Sequence, residues 1–291
     1  MNYMLLLSIL LFSSTLAIKS NIIPIIGLHG IFSNSTLLDD FGTFIENGTG
    51  RPFINLEYGL FEKLSSLSPI YQQTEHICLM LLFNKNVQGS KFVDLVGFSQ
   101  GGLIMKALIQ TCPFINVRYL VTVVTPNGGI YYPNNSINSE INFYSEYAQK
   151  YMSYAGYYRD PTKYDLYLKN SSFLAISNNE KTTASTSNNK KKMLNLLNHM
   201  TVYSTNDTVV SPYGSPMYDL YEYINGQVVY VPRNKTKEYI NDVLGIRTLF
   251  ESNRFHIVKT NCSHENHKEK ECFPQLVAVI DFLNGKYDSK H

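Results

Sequence analysis

Between an apolar run, Phe92-Val93-Asp94-Leu95-Val96, and a stretch with helical spacing, Leu103 to Cys112, lies Gly97-Phe98-Ser99-Gln100-Gly101-Gly102. Glycines two residues before and two after a serine permit a strained strand-to-helix turn that lifts the serine hydroxyl clear of a sheet, the nucleophile elbow. At positions 97 and 101 a side chain would collide with neighbouring backbone. The pattern constrains the fold strongly, because it needs a buried strand ahead of it and a helix behind it. It nominates Ser99 as a nucleophile, and since a pattern this short also arises by accident, its surroundings decide.

Those surroundings read as alternating strands and helices. Ile22 to Ile26 is a short apolar strand running into Gly27-Leu28-His29-Gly30, and Gln72 to Leu82 has helical spacing. Phe92 to Val96 is a buried strand, Leu103 to Cys112 a helix stopped at Pro113, and Tyr119 to Val124 the next strand. Strand, helix, strand predicts an α/β fold, a mostly parallel sheet flanked by helices and joined by right-handed crossovers. Further strands are expected at Met200 to Ser204 and Phe255 to Val258, with helices near Lys237 to Phe250 and Gln275 to Leu283. From about 128 to 195 the pattern changes, and this region is expected to be a helical cap inserted into a single domain spanning 21–291. Within it Tyr144, Tyr147, Tyr151, Tyr154 and Tyr158 recur at three and four, one stripe along a helix. The stripe either seats the cap on the sheet or lines an acyl-chain groove.

The first 20 residues carry an apolar run from Met4 to Phe12 and then small residues ending at Ala17, the layout of a secretory signal peptide and too short to span a bilayer. No stable transmembrane anchor is expected. Asn-x-Ser/Thr sequons at Asn34, Asn47, Asn134, Asn170, Asn206, Asn234 and Asn261 fit a glycosylating compartment. Four cysteines suit two disulfides in an oxidising lumen. Cys262 with Cys272 would close a short loop, and Cys78 with Cys112 would clamp the helix before the elbow strand to the end of the helix after it; paired free thiols are the alternative. A zinc site is disfavoured, since there is no Cys-x-x-Cys pair and His264 is the one well-placed nitrogen. A formal charge of +2 with scattered basic residues leaves no footprint for nucleic acid.

A serine hydroxyl needs a histidine to accept its proton and a carboxylate to hold that histidine's tautomer. After an elbow the chain order is serine, acid, histidine. Asp207 and His264 satisfy it, each just past a predicted strand at the carboxyl edge of the sheet. Asp219, Glu222 and Asp242 compete for the acid; Asp219 and Glu222 read as solvated charges, and Asp207 is preferred on position. His267 is the serious rival for the base; His264 follows its strand more closely and falls inside the Cys262 to Cys272 loop. The oxyanion of acyl transfer needs fixed donors. The backbone amide of Gln100 supplies one, and that of Ile31, after His29-Gly30, the other.

With these residues in place the chain resembles the palmitoyl-protein thioesterases of the lysosome, a branch of the α/β-hydrolases. The resemblance covers nearly the whole mature chain. Its most specific pieces are Leu28-His29-Gly30, Val96 to Gly102 running through Gln110-Thr111-Cys112-Pro113, and Tyr157-Tyr158-Arg159-Asp160-Pro161 on to Tyr167 and Ser172-Phe173-Leu174. It implies hydrolysis of fatty acyl thioesters, such as S-palmitoyl groups on protein cysteine or acyl coenzyme A, with no cofactor and no metal. It maps the nucleophile to Ser99, acid to Asp207, base to His264 and the oxyanion amides to Ile31 and Gln100, and it supports pairing Cys78 with Cys112. The protein-directed branch carries more cysteines than these four and differs after the elbow strand, at Val123-Val124-Thr125-Pro126-Asn127-Gly128; the loop around His264 is more similar to the lipid-thioesterase branch. An oxygen-ester lipase using the same three residues, and a catalytically inactive lipid-binding protein, are the competing readings. The expected location is the secretory pathway, in the lysosome or outside the cell.

Overall fold

The computed structural model describes residues 22–59, 62–133, 141–181, 183 and 187–288. The proposed signal peptide and the Asn134 sequon lie outside them. In chain order the main elements are β1 (Ile25–Leu28), α1 (Asp39–Thr49), β2 (Phe53–Leu56), α2 (Ile70–Phe83), β3 (Val93–Phe98), α3 (Gln100–Thr111) and β4 (Val117–Val123). After them come α4 (Glu146–Tyr151), α5 (Tyr164–Asn170), α6 (Asn189–Leu194), β5 (Asn198–Ser204), β6 (Leu220–Ile224), β7 (Gln227–Val231), α7 (Ile246–Glu251), β8 (Phe255–Thr260) and α8 (Val277–Leu283). Six strands form one parallel sheet in the order β2-β1-β3-β4-β5-β8. This is the mostly parallel sheet with flanking helices that the sequence predicts.

The strands are apolar on both faces because both faces are covered. Ile26, Leu28, Leu95 and Leu120 point into a core shared with Ile77 and Leu81 of α2 and Leu108 of α3. Their neighbours Ile25, Val96 and Val121 point the other way, against Phe41 and Ile45 of α1 and Val279 and Phe282 of α8. Period-two alternation therefore sorts one continuous apolar run into two cores.

Register carries the loops to one edge. At the end of β1, Leu28 stands opposite Gly97, so His29-Gly30 emerges beside the elbow. At the ends of β5 and β8, Ser204 is paired with Thr260, so Asp207 and His264 leave the sheet side by side.

Three expectations need correction. The tyrosine stripe is not one helix: α4 ends at Tyr151, Met152 is extended, and a separate 3-10 turn runs Tyr154–Tyr157. The break comes where the Ser153 amide bonds Leu67 O and the Gln149 side chain takes Ala155 O, turning the chain inward. Tyr144 and Tyr158 are thus buried while Tyr147 and Tyr151 remain exposed. The helix expected over 237–250 is two pieces, Lys237–Ile240 and α7, because Asp242 (φ 50°) and Gly245 (φ 92°) reverse the chain between them. Finally, Asp219 is buried, not solvated, and accepts from the Arg233 amide (2.8 Å) and Tyr230; Asp242 is buried as well, accepting from the amides of Arg247 (2.9 Å) and Thr248 (3.2 Å).

Candidate active site

Ser99 is the hinge between β3 and α3, with φ 50° and ψ −125°, a conformation a non-glycine residue holds only under constraint. The neighbouring glycines are required by close approach. A Cβ on Gly97 would lie 2.4 Å from Gly102 Cα, and one on Gly101 would lie 2.3 Å from His29 O. A Cβ on Gly30 would meet that of Ser99 at 3.0 Å, which shows how closely the first loop packs on the elbow.

Ser99, Ile31 and His264 line one pocket of about 340 Å³, with Phe98, Val124 and Val209 among its apolar walls. Phe32 (φ 55°) and Val124 (φ 43°) also line it, so three non-glycine residues in the left-handed region share one pocket. Backbone strain of this kind collects at working sites. None of the five stripe tyrosines lines this pocket.

His264 Nδ1 is 2.8 Å from Asp207 Oδ2, both side chains nearly buried. The other carboxylate oxygen, Oδ1, accepts from the amides of Val209 (2.8 Å) and Val210 (2.9 Å), so the acid is fixed before it fixes the histidine. A carboxylate can only accept, so Nδ1 carries the proton and Nε2 keeps its lone pair for a hydroxyl in the pocket. His267, the competing base, is fully buried and both its nitrogens are taken, Nε2 by Thr260 Oγ1 (2.7 Å) and Nδ1 by Ser263 O (2.8 Å). Burial pushes its pKa below the ordinary value. Its role is to pin the loop that carries His264.

The same loop is closed by the Cys262–Cys272 disulfide, and Cys78–Cys112 joins the end of α3 to α2. A His267 nitrogen lies within 4.8 Å of both sulfurs of the first pair, so His264 is not the one well-placed nitrogen, and both sulfurs are spent on each other.

Two amides face the oxyanion question. Gln100 opens α3, so its N–H has no carbonyl one turn earlier to bond. In the first loop the Phe32 amide is committed to Ser66 Oγ (2.9 Å), and Ile31, one residue back, lines the pocket. The Gln100 side chain is buried away from the pocket, its amide nitrogen donating to Ser66 O (2.8 Å) and its oxygen accepting from Tyr157 (3.2 Å). Sequence reasoning missed Ser66 and Glu57 altogether, since each lies in an irregular or 3-10 segment with no motif to announce it, and it quoted Tyr157 within a motif without foreseeing its bond to Gln100.

Comparison with known proteins bears on the family and the fold. A family model described as palmitoyl protein thioesterase matches residues 24–264. Palmitoyl-protein thioesterase 3 of Dictyostelium discoideum is 31% identical over 276 residues, covering 91% of this chain and 93% of that protein. Lysosomal thioesterase PPT2 of Homo sapiens is 27% identical over 255 residues, covering 84% of this chain and 82% of its own. Among solved structures, the pyrethroid hydrolase PytH superposes with a TM-score of 0.51 at 12% identity, covering 92% of this chain and all of that one, a likeness of fold alone. The sheet, the elbow and a family match that spans nearly all of the described residues lead to one assignment: the chain is an α/β-hydrolase and belongs to the palmitoyl protein thioesterase family.

Proposed function

We propose that this chain hydrolyses long-chain fatty acyl thioesters, S-palmitoyl-cysteine in proteins or acyl coenzyme A, through an acyl-enzyme on Ser99. The observation that carries the reading is the 2.8 Å contact of His264 Nδ1 with Asp207, made at the wall of the pocket that holds Ser99. His264 Nε2 takes the Ser99 proton as the hydroxyl oxygen attacks the thioester carbonyl. The amides of Ile31 and Gln100 receive the developing oxyanion. Collapse of the tetrahedral intermediate breaks the C–S bond, and His264 gives its proton to the departing sulfur, releasing the thiol. The neutral His264 then takes a proton from water as it attacks the acyl-enzyme, and returns it to Ser99 Oγ as the fatty acid leaves. A thiolate leaves with little protonation help, so the demand on the acid step is lighter than for an amide. No step calls for a cofactor or metal.

The 128–195 excursion serves in this reading as a cap over the domain, and Met1 to Ser20 as a signal peptide. Two disulfides support passage through an oxidising compartment, and relatives are named as lysosomal thioesterases. Among the described residues no helix is long and apolar enough to cross a membrane. The test compares palmitoyl coenzyme A with a matched oxygen ester, using wild type and Ser99→Ala. Thioester turnover that disappears in Ser99→Ala is expected. A strong oxygen-ester preference, or hydrolysis that survives the substitution, overturns the proposal.

A further inference from the structure

We propose that His29, braced by Glu57, is a positioning residue that aims the Ile31 amide at the oxyanion by holding the carbonyl of the Gly30–Ile31 peptide. This rests on the assignment of Ser99 as nucleophile and of Ile31 as an oxyanion donor.

The carbonyl of Gly30 and the N–H of Ile31 belong to one planar group and point in opposite directions, so whatever fixes the first aims the second. His29 Nδ1 lies 2.9 Å from Gly30 O. The carbonyl accepts, so Nδ1 donates. The following peptide is fixed independently, its Phe32 N–H donating to Ser66 Oγ at 2.9 Å. Both planes that flank Ile31 are therefore anchored, one by His29 and one by Ser66. The Ser66 carbonyl in turn accepts from the Gln100 side chain, which ties this loop to the residue bearing the other oxyanion amide.

His29 is itself held. Its Nε2 lies 2.9 Å from Glu57 Oε1, the ring packs edge-on to Tyr58 at 4.4 Å, and Tyr58 donates its hydroxyl to His29 O. Glu57 accepts as well from the amides of Ser35 (2.8 Å) and Tyr58 (2.9 Å). Burial pushes the Glu57 pKa up, but these bonds and His29 outweigh it and hold the carboxyl below its usual range. An ionised carboxylate cannot donate, so both ring nitrogens of His29 meet acceptors. Only the protonated ring can donate to both at once.

The bracket consequently has a pH sense. Charged groups facing His29 are Glu57, from the segment after β2, and Lys268, from the turn after His264; Tyr58 faces it as a neutral phenol. Burial pushes the His29 pKa below its ordinary value, followed by opposing pulls from the Gly30 bond and Glu57, and a further push down from Lys268. A neutral ring has one N–H and must surrender either Gly30 or Glu57. The bracket is therefore complete on the acid side and loosens as pH rises through the His29 pKa.

The experiment uses the purified full chain with palmitoyl coenzyme A, and an alkyl trifluoromethyl ketone whose hemiketal with Ser99 places a negative oxygen in the oxyanion position. His29→Ala is expected to lower kcat on the order of 100-fold with little change in KM, and to weaken the ketone by a similar factor. Glu57→Gln is expected to move the alkaline limb of the kcat profile to higher pH, since a carboxamide can donate to the neutral ring and leave Nδ1–H for Gly30. Inactive Ser99→Ala beside His29→Ala with wild-type kcat and ketone affinity overturns the role of His29 alone. Hydrolysis retained in Ser99→Ala overturns the nucleophile assignment and this inference with it. If His29→Ala melts lower but its folded fraction, titrated with the ketone, keeps wild-type kcat, the residue is only structural and the proposal fails.

Discussion

Replacing Asp207 by asparagine isolates one hydrogen bond from the rest of the site. The asparagine carbonyl can still accept from the amides of Val209 and Val210, now 2.8 and 2.9 Å from Oδ1, so the loop keeps its shape. The new amide group faces His264 Nδ1 at the position where Oδ2 now sits at 2.8 Å. Since it donates, Nδ1 must accept, and the proton moves to Nε2, where it blocks acceptance from Ser99. A wrong tautomer of this kind lowers kcat by about 10⁴-fold in a well-studied serine hydrolase, equivalent to about 5.5 kcal/mol of barrier. Asp207→Ala loses the same function and also strands the buried Val210 amide, a penalty of about 1–3 kcal/mol. At the roughly 2 °C per kcal/mol expected for a domain of this size, its melting temperature should fall by about 2–6 °C while that of Asp207→Asn stays near wild type. Thiol release from palmitoyl coenzyme A and a thermal melt read the two effects separately. A kcat for Asp207→Asn within about tenfold of wild type would refute the tautomer argument, since it would mean that the base works without its carboxylate.

Other sites give equally direct tests. Removing the Cys262–Cys272 bridge by double substitution to alanine frees a loop of separation 10 and should lower stability by about 2.7 kcal/mol on the chain-entropy estimate, read by denaturant unfolding. Arg159→Met leaves the buried Glu180 and the partly buried Glu238 without the guanidinium now 3.1 and 3.0 Å away, and should destabilise by about 3–5 kcal/mol at neutral pH. Unpaired buried carboxylates have raised pKa values, so this loss should shrink as pH falls and they protonate; a pH-independent loss would contradict it. Lys106, fully buried with Asn178 Oδ1 at 2.6 Å, is pushed down to about 7 by burial, against a small opposing pull from Glu180. The unfolded chain binds that proton up to its ordinary pKa, so the buried charge is a penalty below pH 7 that disappears as pH rises toward about 10. Lys106→Met should therefore raise the melting temperature most in acid, and a gain that grows with pH would overturn this sign.

The parts of the candidate site written in local pattern are legible in the sequence as a proposal. Ser99 follows from glycines that leave no room for a Cβ, and Asp207 and His264 from their place just past strands that pair in register. What escaped depends on distant partners. Glu57, Ser66 and Tyr157 are polar residues in irregular segments, and only the folded loops show that they brace His29, Phe32 and Gln100. The β6–β7 hairpin was missed despite its Asn225-Gly226 turn, the strongest short-range hairpin signal, flanked by alternating side chains. The tyrosine stripe erred the other way: spacing of three and four describes a helix only if the backbone stays helical, and a loop amide bond at Ser153 ended it.

The three strained residues around the pocket, Phe32, Ser99 and Val124, bear on how this enzyme can change. Each holds a backbone conformation that disfavours its own side chain, at about 1–3 kcal/mol apiece. Glycine at position 32, where the side chain is exposed, would relieve that strain without emptying the core, whereas at the buried position 124 it would empty part of it, so selection for heat resistance alone should find position 32 readily. It would do so by slackening the walls that keep Ser99 and its neighbouring amides in place. Variants that last longer and turn over more slowly are then the natural drift of this fold, and the wild-type side chains record a balance struck in favour of turnover.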